Sequence, residues 1–153
     1  FWTLIHEAKR LWGQDLDGSA QWLEDQLLMM GPKHAWNFNN IVYGYKSLSH
    51  KYGLWSAADV MLDGCTDDGF SDFQCWLMAQ GRDVFLAALK DPDSLADVPL
   101  YEHGSFEALS AIGESAYEKM TGKSTYADFD SAAYKELEAD LEVDIEYGED
   151  DTI

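Results

Sequence analysis

A chain of 153 residues that is 46% hydrophobic and 14% aromatic is sized for one domain burying roughly 70% of its unfolded surface. No apolar run approaches the 18 or so residues of a membrane span, and two cysteines, Cys65 and Cys75, are too few for a secreted disulfide scaffold. Twenty-nine Asp and Glu against ten Lys and Arg give a net charge of −19, which argues against nucleic acid as a direct partner, because phosphate backbones are held by Lys and Arg.

The compatible uses of such a surface are a basic protein partner, a divalent cation or plain solubility. The acid is unevenly spread, with eleven acidic residues and one lysine in residues 124–153. No leader of basic then apolar residues is present, and Cys75 falls within a helical pattern that suits a small buried thiol. The expected compartment is a reducing cytosol.

Helical periodicity runs through the chain. Phe1, Leu4, Ile5, Ala8 and Leu11-Trp12 form one stripe closed by Gly13. Ser19 is the predicted N-cap of a helix from Gln21 to Met30, with Trp22, Leu23, Leu27 and Met30 facing inward. Gly31 ends it and Pro32 opens the next helix, the order that boundaries prefer. That third helix spans about Lys33 to His50, its inner stripe being Phe38, Ile41, Tyr45 and Leu48. After Gly53, Leu54 to Leu62 reads as a short buried helix.

A polar loop around Cys65 leads into a helix from about Asp68 to Gln80, with Phe70, Phe73, Trp76 and Leu77 on its core face. Arg82 to Lys90 follows, and Pro92 stops it before a loop with one helical turn between Asp91 and Pro99. Phe106 through Met120 forms a further helix ended by Gly122. In the acidic tail, strict alternation from Glu136 to Tyr147 fits a strand, while Tyr134, Leu137, Leu141 and Ile145 fit a helical stripe. No second strand pattern is available to pair with it, so a helix from Ser131 to Asp140 and a frayed acidic end are expected.

The expected architecture is therefore all-α: one compact domain of six or seven helices over residues 1–122, with an acidic C-terminal extension over 123–153. Trp55, Phe70, Phe73, Trp76 and Phe85 are placed near the core centre.

The densest polar chemistry lies between Cys65 and Arg82. Cys65, Asp67 and Asp68 offer a thiol and two carboxylates, but no His lies within ten residues of them, where zinc sites draw on several Cys and His ligands. The oxygen spacing of a calcium loop is missing too. Asp67 and Asp68 are thus only weak metal candidates, and no cofactor is expected. Helix capping explains the same residues: Thr66 or Asp67 accepts from the first free amides, and the acids meet the positive end of the helix dipole.

Asp68, Asp72, Trp76 and Gln80 share one helical face, a possible surface for a ligand or partner. Arg82 is roughly 20 Å from Asp68 along the helix and suits a C-cap role, with Gly81 left-handed and the guanidinium on a carbonyl or an acid. Together with Asp67, these residues are the candidate functional surface. The histidines, His6, His34, His50 and His103, show no metal-ligand spacing, and a Cys65–His50 dyad oriented by Asp59 would have to be assembled by the fold. Asn37, Asn39 and Asn40 beside Trp36 make an amide-rich helix start suited to lining a polar groove.

Leu54-Trp55-Ser56-Ala57-Ala58, then Gly64-Cys65-Thr66-Asp67-Asp68-Gly69-Phe70, Asp72-Phe73, Trp76-Leu77, Gln80-Gly81-Arg82 and Asp91-Pro92-Asp93-Ser94-Leu95-Ala96 resemble the bacterial family called domain of unknown function 4240. Phe1-Trp2 and Ala116 to Gly122 are similar to its first and last helices. The resemblance covers about residues 1–122 and implies a helical fold and a bacterial cytoplasmic origin. It brings no catalytic residues. The function expected from charge and motifs is a non-enzymatic protein-binding module of regulatory or immunity type. A metal-dependent or Cys-based enzyme centred on the Cys65–Asp68 loop is the alternative.

Overall fold

A computed structural model describes residues 1–148. Among them are eight α-helices and no strand: α1 (Trp2–Trp12), α2 (Leu16–Met30), α3 (Pro32–Leu48), α4 (Tyr52–Met61), α5 (Asp67–Ala79), α6 (Arg82–Lys90), α7 (Leu109–Thr121) and α8 (Ser131–Glu142). Two short 3-10 helices, Pro92–Asp97 and Glu102–Gly104, connect α6 to α7. The most extensive packing is between α3 and α7, with α2 against α7 and α1 against α2 completing that layer.

α5 runs through the middle of the molecule. Every residue from Phe73 to Ala79 is buried, the pattern of a helix enclosed on all sides. Its polar members are matched to backbone groups that would otherwise be stranded. Gln74 Nε2 donates to the Lys46 carbonyl and to Ser49 Oγ, both at 2.8 Å, closing the C-terminus of α3. Lys9 Nζ donates to the Gln80 carbonyl at 2.8 Å, placing a cation at the negative end of α5.

An aromatic cluster joins α1, α3 and α6. Phe1 lies 5.0 Å from Phe38, Tyr45 lies 5.0 Å edge-on to Phe85, and Trp2 Nε1 donates to Tyr45 Oη at 3.0 Å. Burying rings with their polar tips paired is the usual arrangement for Trp and Tyr. Trp55 stacks on Phe70 at 4.6 Å but is only half-buried. It therefore belongs at the edge of the core and not at its centre.

Several boundaries differ from the sequence expectation. α2 begins at Leu16, with Asp15 accepting from Gly18 N at 3.0 Å; Ser19 is buried inside that helix and is not its cap. Aspartate and serine cap equally well, and the earlier one wins because Leu16 gains burial. Gly81 has φ 107 and ψ 167, a positive-φ extended conformation that starts α6 and is not a left-handed close to α5.

The acidic end is docked as far as residue 148. In α8, Tyr134, Leu137 and Leu141 are half-buried, as is Ile145 beyond it. α8 lies on α3 closely enough that a Cβ on Gly44 would come within 2.9 Å of Leu141 Cδ1. Beyond it, Asp144 pairs with Arg82 at 3.1 Å and Glu146 with Lys90 at 2.9 Å. Tyr147 Oη donates to the Leu48 carbonyl at 2.8 Å, and Gly148 N donates to the Leu89 carbonyl at 3.2 Å. The frayed end expected for this stretch is thus corrected over residues 143–148: these residues strap α3 and α6 together. The remainder of the expected frayed end, residues 149–153, lies outside the described residues.

Candidate functional site

The Cys65 loop is built by its neighbours' backbone needs. Asp63 and Gly64 take positive φ, 54° and 111°, which turns the chain sharply after α4. Asp59 Oδ1 accepts from Cys65 N at 2.8 Å and fixes the loop's far side. Thr66 is the N-cap of α5, its Oγ1 accepting from Gly69 N at 3.1 Å, a bond worth about 1 kcal/mol. Asp67 and Asp68 fill the first turn, where they meet the positive end of the dipole. Thr66 and not Asp67 makes the cap bond, which leaves both carboxylates exposed to solvent.

The six candidate residues do not share one surface. Asp67 lines a groove of about 520 Å³ between α3 and α5, with Lys46, Ser47, His50 and Ser71. Asp68 is exposed beside it. Further along the same face, Trp76 is 0% exposed and Gln80 5%, so the expectation that Asp68, Asp72, Trp76 and Gln80 form one ligand or partner surface is corrected. Gln80 Nε2 is bonded to the Trp76 carbonyl at 2.8 Å and to Tyr101 Oη at 2.9 Å. Arg82 sits at the other end of α5, near His6, Lys9 and Arg10, and its guanidinium is paired with Asp144. The acid expected as its partner therefore comes from the tail.

Asp72 is half-buried on α5. Burial and then the nearby Glu107 raise its carboxyl pKa above the usual carboxylate range, with Lys46 opposing and Asp68 adding to the rise. A raised folded value means that the protonated form is favoured by folding, a stabilisation present in acid and lost as pH rises through that value. We therefore expect Asp72→Asn to raise the thermal midpoint at neutral pH, and the gain to vanish below about pH 4; a pH series of melting curves for both proteins checks it.

The Cys65–His50 dyad is not assembled. The Cys65 thiol donates to the Thr66 carbonyl at 3.6 Å, and Asp59 is spent on the Cys65 amide. The His50 ring packs edge-on to Trp55 and Phe70 at 5.8 and 5.6 Å. Burial, and then the Asp59 carboxylate, push the Cys65 thiol pKa up, opposite to the depression that activates a nucleophilic cysteine. Among the described residues, no three His, Cys, Asp or Glu side chains form a metal-binding group.

Sequence reasoning missed one concave feature and read only one side of a second. One is an apolar groove of about 400 Å³ between α4 and the 3-10 helix Pro92–Asp97, lined by Ala57, Val60, Met61, Pro92, Asp93 and Leu95 among others. Val60, 82% exposed, was hidden in a pattern that reads as a buried helix. The other lies where the amide-rich start of α3 meets Thr125, Tyr126 and Phe129. Of the three asparagines expected to line a polar groove, Asn39 and Asn40 do so and Asn37 is not among the lining residues.

Residues 1–119 match the family described as protein of unknown function (DUF4240). The chain belongs to that family. Membership covers α1 to most of α7, including the Cys65 loop and the apolar groove, whereas α8 and the strap lie beyond the matched residues. No curated protein and no solved structure matches the chain. No helix among the described residues is long and apolar enough to cross a membrane.

Proposed function

We propose that this DUF4240 domain is a non-catalytic binding module of a bacterial cytoplasm, regulatory or immunity-type, that takes a basic amphipathic segment of a partner protein. The observation that carries the proposal is the groove between α4 and the 3-10 helix, where Val60 stands exposed among apolar neighbours. One exposed carboxylate, Asp93, lines it, and two more, Asp59 and Asp63, lie within three residues of Val60 in the chain. An aliphatic side chain anchored there would leave Lys or Arg of the same segment against acid, and the charge of −19 would speed encounter at low salt. In this reading residues 1–122 are the binding domain and 123–153 an acidic extension that adds to the same field.

The test uses an amphipathic Lys/Leu helical peptide followed by fluorescence polarisation, with polylysine as the purely electrostatic comparison. Val60→Asp, at a site so exposed that folding is spared, is expected to weaken the amphipathic peptide about tenfold or more, the loss typical of a central apolar anchor. Equal binding of polylysine, or indifference to Val60→Asp, sinks the proposal.

A further inference from the structure

α8 and the strap, residues 131–148, form an arm laid on the outside of the helical domain. No residue of α8 is buried, and the arm reaches the core through the half-buried Leu141, Ile145 and Tyr147. Its ion pairs, Asp144 with Arg82 and Glu146 with Lys90, stay open to solvent. Pairs of that kind add little to stability and weaken with salt. α8 is also a poor helix by itself. Its last turn holds no basic residue, and Asp140 and Glu142 stand there against the negative end of the dipole. At 12 residues it is marginal as an isolated helix in water. Contact with α3 is what keeps it folded.

The seat on the domain is shaped for this arm. Gly44 is buried inside α3, where a glycine weakens the helix relative to alanine. Outside α3 itself, a Cβ at Gly44 would meet Leu141 Cδ1 at 2.9 Å and Tyr134 Oη at 4.0 Å, both from α8. The glycine is thus a notch that helps the arm and nothing else in the fold. Arg82 and Lys90, the first and last residues of α6, hold acids three and five residues beyond Leu141. Gly44, Arg82 and Lys90 all lie within the family-matched residues, and the arm lies outside them. The groove belongs to the family domain, whereas its occupant is an addition.

The geometry points to a docking groove for an acidic amphipathic helix, keyed by Gly44 for one leucine and by Arg82 and Lys90 for two carboxylates, with the chain's own arm as a displaceable occupant. A partner helix with the same leucine-then-acid spacing takes the groove when the arm lifts, so the arm acts as a built-in competitor. The helix-in-groove mode needs such an apolar anchor on one face, and the two cations select against a basic helix. The groove is separate from the one beside α4 and does not depend on the function proposed there.

Amide hydrogen exchange on the full chain gives the first test: α8 amides should exchange at least about tenfold faster than those of α7, as a unit that opens without the domain. The second uses a fluorescein-labelled peptide of residues 131–148, followed by polarisation. Leu141→Asp should release the arm, leave α7 protected and bind the peptide saturably. The unaltered chain should bind it about tenfold or more weakly, because a tethered competitor is present at high effective concentration. Gly44→Leu fills the notch, so it should release the arm and yet take no peptide. A peptide with Asp144→Lys and Glu146→Lys should not bind the Leu141→Asp chain. Equal exchange of α8 and α7, loss of α7 protection in Leu141→Asp, no peptide binding by that variant, or equal binding of the acidic and lysine-bearing peptides would overturn the inference.

Discussion

Trp76→Ala is expected to cost about 3–5 kcal/mol, the range for emptying a buried aromatic site, and to lower the melting temperature by roughly 10–15 °C in a chain of this size. Trp76 is among the largest side chains with no exposed surface. It stacks on Phe73 at 5.6 Å and leans against Tyr101 at 5.5 Å. Removing it would also loosen Tyr101, on which the Gln80 amide depends. Trp76→Phe should behave differently. It keeps a ring against Phe73 and deletes the indole N–H, which is buried without a partner, so the lost volume is partly offset and the cost should stay under about 2 kcal/mol. Thermal and urea denaturation of both variants checks this. A loss below about 1 kcal/mol for Trp76→Ala would mean that the residue does not hold the core.

The same residue shows how far the sequence could be read. The spacing of Asp68, Asp72, Trp76 and Gln80 places them on one side of a helix, and they do lie on one side of α5. Periodicity fixes the angle around an axis, however, and says nothing of depth along it. α5 enters the molecule at an exposed Asp67–Asp68 turn and is enclosed by Phe73, so one face begins in solvent and ends in the core. Local chemistry was more legible. Gly31 before Pro32, Gly81 before Arg82, Gly122 after Thr121 and Thr66 before Asp67 each mark a helix boundary where the structure has one, because each solves a backbone problem within a few residues.

Long-range pairings left no such mark. The strap over residues 143–148 depends on carbonyls of Leu48 and Leu89 that α3 and α6 leave free at their ends. Those acceptors are invisible in an alternating acidic sequence. The α4 groove likewise exists only because the 3-10 helix Pro92–Asp97 packs beside α4, so the wall facing Val60 comes from a segment some thirty residues away. The amide cluster was legible as composition; the aromatic walls opposite it come from beyond α7, and sequence order alone does not bring them there.

Gly113→Val should be among the most damaging changes on the α3–α7 seam. A Cβ at Gly113 would sit 2.8 Å from Asn39 Cβ and from Asn39 N, and 2.9 Å from the Ala35 carbonyl oxygen. Two of those atoms are backbone and cannot swing aside, so α3 and α7 must separate along their most extensive contact. Overpacking of this kind costs about 1–3 kcal/mol; we expect the upper end, because Val also loses side-chain freedom in a helix. Gly113→Ala carries the opposing gain of helix propensity, about 1 kcal/mol, and should still be destabilising because the clash lies at Cβ itself. Ala111→Val, on the exposed side of the same helix, isolates the propensity cost and should stay within about 0.5 kcal/mol of the parent. Displacing Asn39 would also pull on Thr125, so chemical shifts of Thr125 and Tyr126 should move in Gly113→Ala and remain in place in Ala111→Val. Equal melting temperatures for the two Val variants would show that α3 and α7 are not in close contact at Gly113.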